Sequence, residues 1–139
     1  MDDAPSGDRP VAPGKTGWDA AMGFRYLRMS RDEVVVEYDV AAIHKQPYGI
    51  VHGGVLSSLA ESLASAATYE AVKDEGKIAM GQANDTSYLR PISEGNINAT
   101  ATRRHGGRTT WLWDVELSDD DGRVCALSRM TIAVRPARG

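Results

Sequence analysis

The chain has 139 residues, of which 42% are hydrophobic and 25% charged, and its formal net charge is −3. That is enough apolar material for one soluble globular domain, without the basic excess that nucleic-acid binding requires. The single cysteine, Cys125, excludes an intrachain disulfide and a cysteine-based metal cluster, and no metal site is expected. No stretch approaches the apolar length of a membrane span. The start, Met1 to Asp8, lacks the basic and apolar regions of a signal peptide, so the expected location is cytoplasmic.

Residues 1–16 are rich in Pro, Gly and Asp without periodicity, which predicts a disordered tail ahead of a single domain over 17–139. A short helical turn around Trp18 to Met22 ends at Gly23. Strands follow from Phe24 to Met29 and from Asp32 to Val40, where Val34, Val36, Tyr38 and Val40 alternate with Val35, Glu37 and Asp39. After the loop 41–51, apolar residues at 55, 56, 59, 60, 63, 64 and 67 give a wide face at helical spacing, predicting a helix from Gly53 to Lys73. Asp74-Glu75-Gly76 stops it. Everything beyond reads as strands: Ile78 to Leu89, Asn96 to Arg104, Thr109 to Leu117 and Val124 to Val134. Trp111, Trp113, Val115 and Leu117 share one face, and Ser118-Asp119-Asp120-Asp121-Gly122 is a strong hairpin turn. Two strands, one long helix and four strands joined by tight turns imply an α+β arrangement, an antiparallel sheet wrapped around one central helix.

Glu61 is the residue that most needs explaining. It interrupts a run of leucine, alanine, valine and serine, where a buried charge is costly unless it is used or paired. Ser65 and Thr68 follow it at four and seven residues, on the same stripe of the helix, with Ser58 a turn before. A polar stripe on such a helix must face water, a partner subunit or a substrate. At the helix start, the N–H groups of Gly53 and Gly54 have no intrahelical acceptors and form a positive spot able to polarise a carbonyl oxygen. His52 flanks that spot, either as a backbone-bonded residue or in contact with substrate, and Gln46 lies in the loop leading to it.

Val51-His52-Gly53-Gly54, followed by Leu59-Ala60-Glu61-Ser62 and Ser65, resembles the hotdog-fold acyl-CoA thioesterases. The resemblance is greatest to the glutamate-type group containing 4-hydroxybenzoyl-CoA and 1,4-dihydroxy-2-naphthoyl-CoA thioesterases. Ser87-Tyr88-Leu89-Arg90-Pro91 with Gly95, and His105-Gly106-Gly107-Arg108 with the later Asp121-Gly122-Arg123-Val124, look like the same family. The related phenylacetyl-CoA thioesterases usually carry aspartate where this chain has Glu61. The resemblance implies a hotdog fold, hydrolysis of an aryl- or medium acyl-CoA thioester, and no cofactor beyond the coenzyme A of the substrate. It implies that Glu61 is the nucleophile or general base and that Gly53 N–H polarises the thioester carbonyl. Gln46 and His52 would position the acyl group and the departing thiolate, and Ser65 would orient the carboxylate or the water. Gly81, Tyr88, Leu89, Arg90 and Pro91, with His105, Gly106, Gly107, Arg108, Thr109 and Thr110, would bind substrate and coenzyme A. Arginine suits the phosphates because it donates two parallel hydrogen bonds.

Hotdog hydratases and dehydratases also pair a histidine with a helix carboxylate, but Gln46 ahead of His52 and Ser65 after Glu61 fit hydrolysis better. A non-catalytic acyl-CoA sensor would need a DNA-reading element, and the chain shows none. Gly53 and Glu61 are eight residues apart, about 12 Å along a helix axis, too far for one thioester to touch both in a single chain. The expected partner is therefore a second copy, in a homodimer with interface active sites, and the resemblance implies that such dimers often pair again into a tetramer.

Overall fold

The computed structural model describes residues 13–138; most of the expected tail, residues 1–12, lies outside the described residues. In chain order the elements are α1 (Gly17–Met22), β1 (Arg25–Met29), β2 (Glu33–Asp39), α2 (Gly53–Val72), β3 (Lys77–Tyr88), β4 (Asn96–Gly106), β5 (Thr110–Ser118) and β6 (Val124–Pro136). All six strands form one antiparallel sheet in the order β1-β2-β4-β5-β6-β3. The expected count and order of elements hold, and the arrangement is the hotdog fold.

Alternation builds the core. Val34, Val36 and Tyr38 of β2, Ile97, Ala99 and Ala101 of β4, and Trp113, Val115 and Leu117 of β5 are all buried. They meet Leu59, Ala60, Leu63 and Ala64 of α2, which have no exposed surface. Twenty residues of α2 span about 30 Å, which carries the chain across the sheet and delivers β3 to the far edge beside β6. A single turn then stops the helix: Lys73–Glu75 tightens into a 3₁₀ turn and Gly76 adopts a left-handed φ of 72°.

Two departures from simple alternation matter for the site. In β3, Gly81 pairs with Ile132 and Ala83 with Thr131, so Gln82 is the extra residue of a bulge. The bulge resets the phase, and Gly81, Asn84, Thr86 and Tyr88 all lie opposite inward residues of β6. A second bulge in β4, between Arg103 and His105, similarly resets the end of that strand. The lengths of β4 and β6 also exceed the expected ones, because β4 runs on through Gly106 and β6 through Pro136, each paired to its neighbour.

Thr68 ends the polar stripe of α2 but does not face outward. It is fully buried, donates to Ala64 O at 2.8 Å and accepts from Trp113 Nε1 at 2.9 Å. Replacing Thr68 with Val keeps the volume and leaves the buried indole N–H without an acceptor, at a cost of about 1–3 kcal/mol. Thermal melts of Thr68→Val should show a clear loss of stability, while turnover per folded molecule stays near that of the parent.

Candidate active site

The loop before α2 is built around a buried histidine. His44 Nδ1 accepts the Ala41 N–H at 2.8 Å, its Nε2 lies 2.8 Å from Met22 O, and its ring packs on Tyr38 with centroids 4.5 Å apart. His44 O accepts His52 N–H at 2.8 Å, and Lys45 bridges Val51. Gln46 N–H donates to Ile50 O at 2.9 Å, closing a small hairpin that presents Gln46 and His52 from its two arms. His44 drew no attention in the sequence; its only signal there is a histidine two residues before Gln46.

His52 is the N-cap of α2. Its Nδ1 accepts the Gly54 N–H at 2.9 Å, which places the proton of the neutral ring on Nε2, and the side chain is exposed. The alternatives left by the sequence therefore combine: one ring nitrogen is backbone-bonded and the other is free to donate outward. Among the described residues the Gly53 N–H has no acceptor. A Cβ on Gly53 would lie 3.0 Å from Tyr88 Cε1, so glycine lets the tyrosine ring close over the helix start. Gln46, Gly53, Tyr88, Leu89, Arg90 and Pro91 together line a cleft of about 380 Å³, whose floor is Val51, Leu56 and Ile92. With the N-cap His52, seven of the expected residues thus meet at the N-terminal end of α2.

Glu61 lies further along the helix and is exposed, not buried as the sequence suggests. The sheet does not close around the whole of α2, and the exposed carboxylate lies at its open edge, against the edge strand β3. A Cβ on Gly81 would come within 2.8 Å of Glu61 Oε2, and Asn84 Nδ2 donates to Glu61 Oε1 at 3.3 Å and to Ser57 O at 2.9 Å. Asn84 is fixed in turn: its Oδ1 accepts from Thr86 Oγ1 at 2.6 Å, and Ser128 Oγ lies 2.9 Å from that hydroxyl. Gly81 and Asn84 therefore form the cradle of the carboxylate. Asn84 is the contact the sequence reading missed. Its signal was available: Asn84, Thr86 and Ser128 are polar at inward-facing strand positions. Ser65 is half-buried on the same helix and makes no hydrogen bond to Glu61.

The remaining expected residues fall elsewhere. His105 and Gly106 end β4, Thr110 begins β5, and Gly107, Arg108 and Thr109 form the turn between them. Gly107 N–H donates to Thr110 O at 2.9 Å, and Gly107 O accepts from Trp111 Nε1 at 2.9 Å. Thr110 pairs with Ala133, which pairs with Met80, so this turn lies level with Met80, eight residues before Tyr88 on β3. At about 3.3 Å per residue, the turn and the Tyr88–Pro91 segment are about 26 Å apart along the sheet. One chain does not bring Arg90 and Arg108 together. Neither guanidinium has an acidic partner among the described residues, whereas Arg25, Arg28, Arg103, Arg104, Arg123 and Arg129 are all ion-paired. A larger hollow of about 720 Å³, lined by Tyr26, Arg31, Tyr69 and Lys73 among others, contains none of the expected catalytic or coenzyme A residues.

The family model of the thioesterase superfamily matches residues 48–126, from the loop of the candidate site through all but the last strand. The chain belongs to the thioesterase superfamily. The proofreading thioesterase EntH of Cronobacter turicensis is 33% identical over 113 residues, covering 81% of this chain and 82% of that protein. A mutant thioesterase of Pseudomonas aeruginosa superposes with a TM-score of 0.84 at 33% identity, covering 88% of each chain. A thioesterase of Haemophilus influenzae gives 0.81 at 28% identity, covering 86% of this chain and 83% of its own. This thioesterase is accordingly a thioester hydrolase.

The cradle gives a direct test of geometry. In Gly81→Ala the new methyl group meets the end of the Glu61 side chain and displaces it, without touching the core. Where Glu61 is the reacting carboxylate, misplacing it by about 1 Å costs up to roughly 100-fold. Steady-state assays on a thioester that the parent hydrolyses should show kcat reduced by at least about tenfold, with a melting temperature close to the parent's.

Proposed function

We propose that this thioesterase hydrolyses an aryl- or medium acyl-CoA, with Glu61 as the reacting carboxylate and Gly53 N–H as the oxyanion donor. The observation that carries this reading is the pairing of an unbonded N–H at the start of α2 with an exposed, cradled carboxylate in its middle. In hydrolysis, oxygen adds to the thioester carbonyl, the C–S bond breaks, and the thiolate of coenzyme A leaves and takes up a proton. Glu61 either attacks the carbonyl itself, forming a mixed anhydride that water then cleaves to the free acid and the regenerated carboxylate, or takes the proton of the attacking water. Gly53 N–H stabilises the charge that develops on the carbonyl oxygen, and it needs no reorganisation because it is already fixed and unpaired. Gln46 and His52 Nε2 position the acyl carbonyl and the departing sulfur, and Ser65, which does not bond the carboxylate, orients the water. A thiolate is a stable leaving group, so one carboxylate and one fixed donor suffice for the chemistry.

Each site takes residues from two chains. Gly53 and Glu61 are about 12 Å apart along α2, whereas attacking atom and carbon must approach to roughly 3–3.5 Å. The outer edge of β3 supports a partner: twelve residues of edge strand, largely exposed, with Met80 46% and Tyr88 53% accessible. Long unprotected edges of this kind pair with other strands. A two-fold axis beside β3 sets the start of one α2 against the middle of the other and creates two equivalent sites. We propose that these dimers pair again into a tetramer, and that Arg90 and Arg108, about 26 Å apart along one chain's sheet, reach one coenzyme A from different chains.

Glu61→Gln keeps the shape and removes the nucleophile or base, and its turnover should fall by orders of magnitude. Co-expressed with an inactive His52→Ala chain, it should regain part of the activity in mixed dimers, since one of their two sites is then intact. Isolated mixed dimers that stay inactive would refute the shared site.

Arg90→Ala and Arg108→Ala should each raise KM for acyl-CoA more than they lower kcat, because the lost contact is remote from the reacting carbon. Short thioesters without the nucleotide should be hydrolysed as well as by the parent; equal damage to both substrate types would remove these arginines from the coenzyme A contact.

A further inference from the structure

Trp18 of α1 reaches the helix carrying Glu61. Its indole is 52% exposed, yet its Nε1 donates to Ser58 Oγ at 2.8 Å. Ser58 also donates to Val55 O at 3.0 Å, so its hydroxyl is fixed and the indole has a defined place to dock. Ser58 is three residues before Glu61, and side chains at that spacing have Cβ atoms about 5–6 Å apart. The half-exposed tryptophan therefore docks on α2 one turn before the carboxylate.

The rest of α1 holds the ring in that place. Met22 is buried in the core, and its carbonyl oxygen lies 2.8 Å from His44 Nε2. Asp19 accepts from Tyr26 Oη at 3.0 Å, and Gly23 ends the helix in a left-handed turn with φ 75°. Six residues form no stable helix by themselves, so these contacts and the indole bond are what position α1. Half-exposed, a tryptophan leaves a large apolar ring in water, while its only polar atom is already bonded to α2. The ring faces remain available for something that comes to that surface.

We propose that Trp18 is a specificity-determining residue of the thioesterase site, an aromatic wall that favours acyl groups carrying a planar ring. The inference rests on Glu61 being the reacting carboxylate, because only then does the acyl chain lie within reach of Ser58. A planar aryl group stacks on the indole or meets it edge-on, whereas a saturated ring of the same size gains contact area but no quadrupolar attraction.

The test compares benzoyl-CoA with cyclohexanecarbonyl-CoA, matched in ring size and differing in planarity, for the parent, Trp18→Leu and Trp18→Phe. Trp18→Leu fills most of the space without an aromatic face; Trp18→Phe keeps the face and loses the bond to Ser58. The parent should prefer the benzoyl thioester. Leucine should lower the ratio of the two kcat/KM values by roughly two- to tenfold, and phenylalanine should keep it within about twofold of the parent. A ratio unchanged in Trp18→Leu, with both rates kept or both reduced equally, overturns the aromatic wall and leaves Trp18 as an anchor for α1. A parent that hydrolyses neither thioester overturns the aryl-CoA reading itself, and this inference with it.

Discussion

Leu59, Ala60, Leu63 and Ala64 are fully buried where α2 crosses the sheet, and burying them commits the opposite face of the same helix to the outside. Each large apolar side chain so buried contributes about 1.5–3 kcal/mol, far more than any contact Glu61 makes in the free chain. The orientation of the carboxylate is therefore set by residues on the other side of the helix. A charge held this way costs little while it remains hydrated. Its desolvation is deferred until something covers that face of the helix. The same crossing takes β3 to the edge of the sheet, so the strand that cradles Glu61 is also the strand left without a neighbour.

The bulge at Gln82 turns that edge strand into a functional surface. Unbroken alternation from Gly81 would aim Ala83, Asp85 and Ser87 at the helix. With one extra residue, Asn84, Thr86 and Tyr88 face inward instead. Asn84 reaches Glu61 and the Ser57 carbonyl, and Tyr88 closes over Gly53. One irregularity thus supplies contacts both at the Glu61 carboxylate and at the N-terminal end of α2. This also shows where the sequence was legible and where it was not. Helical spacing from Val55 to Ala67, the tight turns and the four apolar residues of β5 are local signals, and they fixed element count, order and fold class. Glu61 was legible because a charge stands out within an apolar run. The phase of β3 was not, because a bulge shifts register without leaving a local mark. The exposure of Glu61 was missed for a related reason: a periodic apolar face shows which side of a helix is buried, but not whether the sheet closes over the other side. The separation of Arg90 from Arg108 depends on strand pairing across β3, β5 and β6, which no local pattern encodes.

The glycines of the site are there for proximity, not for backbone freedom. Gly23, Gly76 and Gly122 have positive φ and serve turns, whereas Gly53, Gly54 and Gly81 do not. A Cβ at Gly53 would press on Tyr88, at Gly54 on His52 Nδ1 at 3.0 Å, and at Gly81 on the Glu61 carboxylate. Glycine is about 1 kcal/mol worse than alanine inside a helix, and it weakens a strand by removing a side chain that could pack. The fold accepts that loss at three positions, and in each the space left by the missing methyl group is filled by a side chain of the site. The long apolar face of α2 offsets the loss of stability, so the same helix provides both the core that tolerates these glycines and the surface on which they act.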